Sequence, residues 1–563
     1  MIIHREGSMM TSRSIPIAIV FIFAIFLSAL PAAAQTTWHV DDDAPGDPGP
    51  GDSAISDPLE DGTLAHPYDM IQEAIDASAV GGDTVLVAAG TYVENLGSGY
   101  RSLTLESEDG PNETVIDGID PVNPYAGCVL RIDEGPFVIR GFTLQNGTGT
   151  GTARIGGGIY CQPLITAIIT DCVIRWNWVE GLGGGIFANS STVEISDCLI
   201  YDNWAYGYPA ACGGGIYLLG CEATISDTFI LWNYALEHGG GVYSFKSTTV
   251  AANNVIAENE CDGTGGGYYC HHQDDTTLLN NTITGNIAWV EAGGIGTQYE
   301  SLMTVRNTVL WGNSAPLGKE LFVARSDYPA TLDISYSDVD GGQASAHVEP
   351  GCTLNWGLGM IDADPLFVDY PLEYFLAQIA TGHGADSPCL DAGGGPAQSV
   401  CYDTYSGTWC MNERSTRTDN ARDEGLVDMG YHYWGIFEPT HTFNAGLTCL
   451  PAAGTVPFRT TFTALLLNEE PSRPATRVAA RVDVALAAGG LYTNWRAGFT
   501  NIAAGESFET SWGQQIPALG SMIGANRFTL TAEDITPAPY NQPPYPAAGY
   551  QATDACTVTG VAP

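Results

Sequence analysis

The sequence predicts an all-β chain: a parallel β-helix, a solenoid of short stacked strands, followed by an immunoglobulin-like β-sandwich. Three observations carry this expectation. Glycine triplets begin at Gly156, Gly183, Gly213, Gly239 and Gly265, with a degenerate copy at Ala292. An asparagine series, Asn146, Asn177, Asn203, Asn233, Asn259, Asn286 and Asn313, mostly written Ile-x-x-Asn, runs in phase with them. Beyond Trp434 the repeat stops and longer alternating runs separated by turn residues begin.

The first 34 residues form the opening element. Arg5 and Arg13 precede an apolar run from Ile17 to Leu30, and the small residues of "PAAAQ" suit cleavage after Ala34. The apolar core is shorter than the roughly 20 residues a spanning helix needs, so residues 1–34 read as a secretory signal peptide rather than an anchor. No later stretch is apolar enough to span a bilayer, and the mature chain is expected to be secreted or held at the cell surface, as a monomer. All 14 cysteines lie in that mature part. An even count in an oxidising compartment makes disulfides plausible. Cys449 with Cys556, which bracket the last domain, is the first expectation, and Cys401 with Cys410 the second.

The solenoid comes next. From each triplet to the following asparagine is 20 or 21 residues, and from each asparagine to the next triplet is 6 or 10. The larger length change therefore falls in one loop, as expected of insertions at one corner of a repeated cross-section. No triplet is followed by the Lys and Ser or Thr of a phosphate loop, so the glycines read as corners that need positive φ and close backbone stacking. After each triplet comes Ile159, Ile186, Ile216, Val242, Tyr268 or Ile295, read as an interior column. Ile174, Ile200, Ile230, Ile256, Ile283 and Leu310 form a second. Strand alternation then sends Tyr160, Phe187, Tyr217, Tyr243 and Tyr269 to the outer face, stacked roughly 4.8 Å apart. The asparagines are expected to form an amide ladder.

The last element spans 437–563. Runs such as "RVAARVDVAL" and "NRFTLTAED" alternate as in an antiparallel sandwich.

With "GGGIF" and "IxxN" in view, the chain resembles the right-handed parallel β-helix repeat proteins of the pectin-lyase-like superfamily, and its repeats are similar to those of chlamydial polymorphic membrane proteins. The resemblance covers roughly Trp38 to Tyr433. It implies a β-helix domain over 35–436, with an N-terminal cap over 35–83, in which Met70, Ile71, Ala74 and Ile75 share one helix face, and closing coils over 360–436. It speaks to fold far more than to function.

Charge narrows the chemistry. A formal net charge of −44 repels nucleic acid and anionic lipid alike. Cleaving a polyuronate needs cationic help, yet between Gly156 and Asn313 the basic side chains are Arg175, Lys246 and Arg306, and Arg175 and Arg306 lie five coils apart. A lyase acting there would depend on calcium. Polygalacturonases carry a Gly-His-Gly triplet; Gly382, His383 and Gly384 repeat it without the Arg-x-Lys that accompanies it. His271, His272, Asp274 and Asp275 gather beyond one strand, but neighbouring residues of a strand point opposite ways. Near the mature N-terminus, Asp41, Asp42, Asp43, Asp57 and Asp61 lie in a Gly- and Pro-rich loop of hard oxygen donors that suits calcium, the one cofactor the sequence suggests, without matching an EF-hand.

The remaining candidates are aromatic. Tyr160, Phe187, Tyr217, Tyr243 and Tyr269, with Trp178, Trp204 and Tyr234 after the asparagines, form rows that suit stacking on sugar rings, the alternative being mutual packing. The expected function is a non-catalytic β-helix for adhesion or binding of a polysaccharide or cell-surface glycan, with no catalytic residue assigned. The alternative is a calcium-assisted polysaccharide lyase or glycoside hydrolase.

Overall fold

Two apolar residues separated by one polar residue are the unit from which each coil is built, because a strand buries alternate side chains. In the computed structural model, which describes residues 35–42, 60–79, 81–119, 127–149, 154–207, 211–368, 374–418 and 421–433 and the backbone of strands between 434 and 561, these units stack into a parallel solenoid. Sheet I has 12 strands, from Thr37–Val40 to Thr353–Trp356; sheets II and III have 10 each, and sheet IV has five. A representative coil turns at Gly183, enters sheet II at Ile186–Asn189, sheet I at Thr192–Ser196, sheet III at Leu199–Tyr201 and sheet IV at Trp204–Ala205. The sequence predicts three strands per coil. The two-residue fourth strand follows the asparagine and widens the cross-section.

The interior columns stand as the periodicity predicts. Ile159, Ile186, Ile216, Val242, Tyr268 and Ile295 are in register and completely buried. Ile174, Ile200, Ile230, Ile256, Ile283 and Leu310 form the parallel file in sheet III. Each such side chain contributes roughly 1.5–3 kcal/mol of burial, repeated coil after coil.

Gly183 shows why the triplet is glycine. Its φ is +69°, and a Cβ there would lie 2.7 Å from the Cβ of Phe187. Only glycine accepts both the left-handed backbone and the aromatic neighbour.

The amide ladder runs from Asn177 through Asn203, Asn233, Asn259 and Asn286 to Asn313. Each Nδ2 donates to the next Oδ1, at 3.0 Å for Asn203 to Asn233, and to a carbonyl of an earlier coil, at 2.8 Å from Asn203 to Ile174. Each Oδ1 also accepts the preceding asparagine's backbone N–H, at 3.1 Å for Asn203 to Asn233. Asn146 does not belong to it. Its φ is +64° and its Nδ2 donates to Asp117, while Gly147 is the residue whose N–H meets Asn177 Oδ1 at 2.8 Å. Glu320 ends the ladder, accepting Asn313 N at 3.1 Å and Asn313 Nδ2 at 2.6 Å.

A second corner, between sheets I and III, holds Asp171, Asp197, Asp227, Asn253, Asn280 and Asn307, with φ between 50° and 55°. Asp and Asn are the non-glycine residues that tolerate this region best. This corner also decides the fate of the closing segment. Residues 374–418 and 421–433 do not continue as further coils; they fold back along the corner column. Gly394 N donates to Asn307 Oδ1 at 2.7 Å, Asn280 Nδ2 to Asp428 O at 2.9 Å, and Asn253 Nδ2 to His432 O at 2.7 Å. Arg414, fully buried, makes a two-pronged ion pair with Asp227, to which Tyr402 also donates at 2.5 Å.

At the other end, Ile71–Ala77 forms a short helix with Ile71, Ala74 and Ile75 buried. Met70, expected on that face, precedes the helix and is exposed. The Glu94 carboxylate accepts the N–H groups of Ile71 at 2.8 Å and Gln72 at 3.0 Å, where the helix dipole favours negative charge. Thr37–Val40 pairs with Asp83–Val87 and so opens sheet I.

The strands between 443 and 561 form a three-stranded and a five-stranded sheet, antiparallel except for Ala453–Thr455 beside Gln551–Val561. The residues read as a signal peptide and the Cys449–Cys556 pairing lie outside the described residues and side chains. Among the described residues no helix is long and apolar enough to cross a membrane.

Candidate functional site: a groove on the outer face of sheet I

Alternation in sheet I sends Val193 and Ile195 inward and leaves Glu194 and Ser196 on the outer face. Register places Glu106, Arg140, Thr170 and Ser196 in one outward file across four coils. Val138, Ile168 and Glu194 make the file beside it. Asp171 and Asp197 stand at the adjoining corner.

Over this floor projects a hairpin of the closing segment. Cys401–Thr404 pairs antiparallel with Gly407–Cys410, and the Cys401–Cys410 disulfide ties its base, as the spacing suggests. Its tip reaches the floor: Tyr405 N donates to Glu194 Oε1 at 2.6 Å. Trp409 Nε1 is held by Thr404 Oγ1 at 3.1 Å and Ser406 Oγ at 3.2 Å. Between hairpin and sheet runs a groove of about 690 Å³. Arg140 and Glu106 form an ion pair at 2.5 Å on its floor. Burial holds the Glu194 carboxyl above its ordinary range, against the opposing pull of the Tyr405 N–H.

The aromatic column predicted to face outward is corrected. Tyr160, Phe187, Tyr217, Tyr243 and Tyr269 do stack in register, with ring centroids 5.0–5.9 Å apart, but they are 1–8% exposed. The corner residues that precede the triplets, such as Leu182 and Cys212, pack over them. The widened coil folds its own loop across the outer face of sheet II, so the stack is a second core rather than a surface.

The other row is partly open. Trp204 is 52% exposed and lies 5.5 Å from Tyr234, with their planes 48° apart, whereas Trp178 leans on Tyr206 at 5.5 Å. The rings are tilted and form no common platform.

The predicted metal loop is also redistributed. Asp41 and Asp42 are half-buried, Asp61 is exposed with its Oδ1 accepting Thr63 N at 3.1 Å, and Asp43 and Asp57 lie outside the described residues. Among the described residues, the groups near enough to share an ion are Glu60, Asp69 and Glu73, and Asp423, Asp428 and His432. Burial and the neighbouring Glu60 and Asp69 push Glu73 up to about 7. In the second group Asp423 Oδ2 lies 2.8 Å from His432 Nε2, and Asp428 accepts Asp391 N at 2.6 Å and Thr416 Oγ1 at 2.5 Å. These bonds bind the closing segment to itself.

The histidine motifs resolve as packing. His272 stacks on Tyr299 at 4.1 Å, His271 Nδ1 meets Tyr243 OH at 2.9 Å, and Asp274 is buried, accepting Ser244 Oγ at 2.6 Å. His383 Nδ1 lies 2.8 Å from Thr381 Oγ1 in a turn. Sequence reading missed Tyr405 and Trp409. The available signal was a hairpin closed by two cysteines with an exposed aromatic at its tip.

Comparison with known proteins bears out the expected handedness. A family described as "Right handed beta helix region" matches residues 157–323. The solenoid is a right-handed parallel β-helix. Among curated proteins, the metabotropic glutamate receptor-like protein R of Dictyostelium discoideum is 25% identical over 167 residues, 29% of this chain and 10% of that protein. The chain thus spans only a small part of that relative's length. Among solved structures, the β-helix is similar to the pectin methylesterase of Aspergillus niger, with 12% identity, a TM-score of 0.23 and coverage of 59% of this chain and 88% of that one. Carrot pectin methylesterase shows 13% identity, a TM-score of 0.26 and coverage of 59% and 84%. Neither score carries an argument about activity. The likeness to chlamydial polymorphic membrane proteins rests on the repeat motifs alone.

Proposed function

We propose that this is a secreted or cell-surface, non-catalytic β-helix that binds a glycan, and that the groove under the Tyr405 hairpin is its contact surface. The observation that carries the reading is the overhang of two aromatic side chains, Tyr405 and Trp409, above a floor of hydroxyls and carboxylates in a groove of about 690 Å³. Sugar rings bring an apolar face and a rim of hydroxyls, and a site of this composition answers both. Glu106 and Glu194 are three coils apart, ~14 Å, beyond the separation at which paired carboxylates cleave a glycosidic bond. The last domain, read as an immunoglobulin-like sandwich over 437–563, serves as a second module for attachment or binding.

One observation favours a second reading. Asp171 and Asp197 occupy equivalent steps of adjacent coils, ~5 Å apart along the axis, which suits a pair of carboxylates in a glycoside hydrolase. Incubation with a panel of polysaccharides separates the two. Binding by calorimetry with no release of reducing ends or unsaturated products supports the first. Product release abolished by Asp171→Asn supports the second. Tyr405→Ala, at a side chain 67% exposed, is expected to weaken binding at least tenfold with thermal unfolding unchanged. Undiminished binding in that variant, with loss in Trp204→Ala, refutes the groove.

A further inference from the structure

We propose that the groove selects a cationic glycan, a polymer of amino sugars carrying free protonated amines, over neutral and uronic polymers. This rests on the glycan reading above and specifies it. The groove is lined by the carboxylates of Glu106, Glu108, Asp171, Glu194 and Asp197 and by a single guanidinium, that of Arg140. Arg140 is engaged by Glu106, so its charge is offset within the groove wall. Carboxylates thus outnumber guanidinium groups in the lining, in a chain of net charge −44. Such a cleft concentrates cations and repels uronates.

The floor further favours a sugar over a basic peptide. It is the face of a sheet whose strands are paired on both sides, from Asp83–Val87 through Leu103–Ser107, Phe137–Arg140 and Thr166–Thr170 to Thr192–Ser196. No strand edge is open there, so an extended peptide cannot add itself by backbone hydrogen bonds. Thr170, partly exposed, lines the same floor, its Oγ1 accepting the buried Ser196 hydroxyl at 3.1 Å. The exposed ring of Tyr405 offers a face for a sugar ring or an ammonium group. From Glu106 to Ser196 the floor extends three coil steps, ~14 Å, enough for a few sugar rings in a row.

The test uses a β-1,4-linked glucosamine hexamer, its fully N-acetylated counterpart, an oligogalacturonate and a lysine oligomer of matched charge, by calorimetry at low and high salt. The wild-type chain is compared with Glu108→Gln/Asp171→Asn. The fold accepts the second change because the same corner column carries asparagine at Asn253, Asn280 and Asn307. The free-amine hexamer is expected to bind at least tenfold tighter than the acetylated one, to weaken with salt, and to lose at least tenfold in the variant, a larger factor than the acetylated hexamer loses. Equal affinity for the two hexamers, with both lost in Tyr405→Ala, overturns the charge selection and leaves the glycan reading standing. Equal or tighter binding of the lysine oligomer overturns the choice of a sugar. Failure of every glycan to bind overturns both proposals.

Discussion

Glu320 makes the ladder's end sensitive to pH. It is completely buried beneath Asn313, and burial is the largest influence on its carboxyl, with Asp340 adding to it and Asn313 and Lys319 opposing; together they push it up to about 8 from an ordinary 4.5. A carboxyl whose folded value lies above its unfolded one binds its proton more tightly in the native state. Its stabilisation is complete below pH 4.5 and is lost as pH rises toward 8, at about 1.4 kcal/mol per pH unit. At pH 7 the loss is on the order of 3 kcal/mol, a large share of a marginal stability. Glu320→Gln removes the charge and keeps an oxygen able to accept both Asn313 donors, as each asparagine oxygen already does for its neighbour. Denaturant unfolding of both proteins from pH 4 to pH 9 is the assay. The variant's advantage is expected to be near zero at the acid end, to widen with each unit, and to level off above pH 8. A constant difference refutes the reasoning, because it means that Glu320 ionises alike folded and unfolded and the ladder ends on a charge.

Other outcomes follow from the same geometry. Asn233→Ala, in mid-ladder, strands a buried N–H and a carbonyl and is expected to cost about 3–5 kcal/mol, against about 1–2 for Asn146→Ala, where alanine must take the left-handed backbone, measured by chemical denaturation. Phe187→Ala is expected to cost about 3–5 kcal/mol while leaving glycan affinity unchanged, the reverse of Tyr405→Ala. Arg414→Met leaves Asp227 buried without its cation; a loss of about 3–5 kcal/mol and early proteolytic cleavage within 389–433 are expected, and resistance equal to wild type would show that the fold-back does not depend on this pair.

The solenoid was legible because its interior obeys two periods at once, alternation along a strand and recurrence along the axis. Ile186, Ile216 and Val242 satisfy both, and no distant element is needed to explain their burial. The asparagine register was nearly legible; Asn146 failed because a one-residue shift at a corner leaves the spacing almost unaltered while moving the amide from the ladder to the bend. The outward aromatics failed for a different reason. Strand alternation tells which side of a sheet a residue occupies, but not whether that side meets water, and Tyr217 and Tyr243 meet the loop that precedes their own triplet.

The groove was beyond one-dimensional reading. Glu194 and Tyr405 are 211 residues apart, joined because the closing segment returns along a corner of aspartates and asparagines. Local sequence determines the coil, its glycine corners and its buried files, since these depend on contacts between successive windings that the repeat itself supplies. Which outer faces are covered, and where a carboxylate meets an aromatic, was decided only by the tertiary structure, because covering is an act of distant chain, and its contacts leave no periodic mark on the residues they bury.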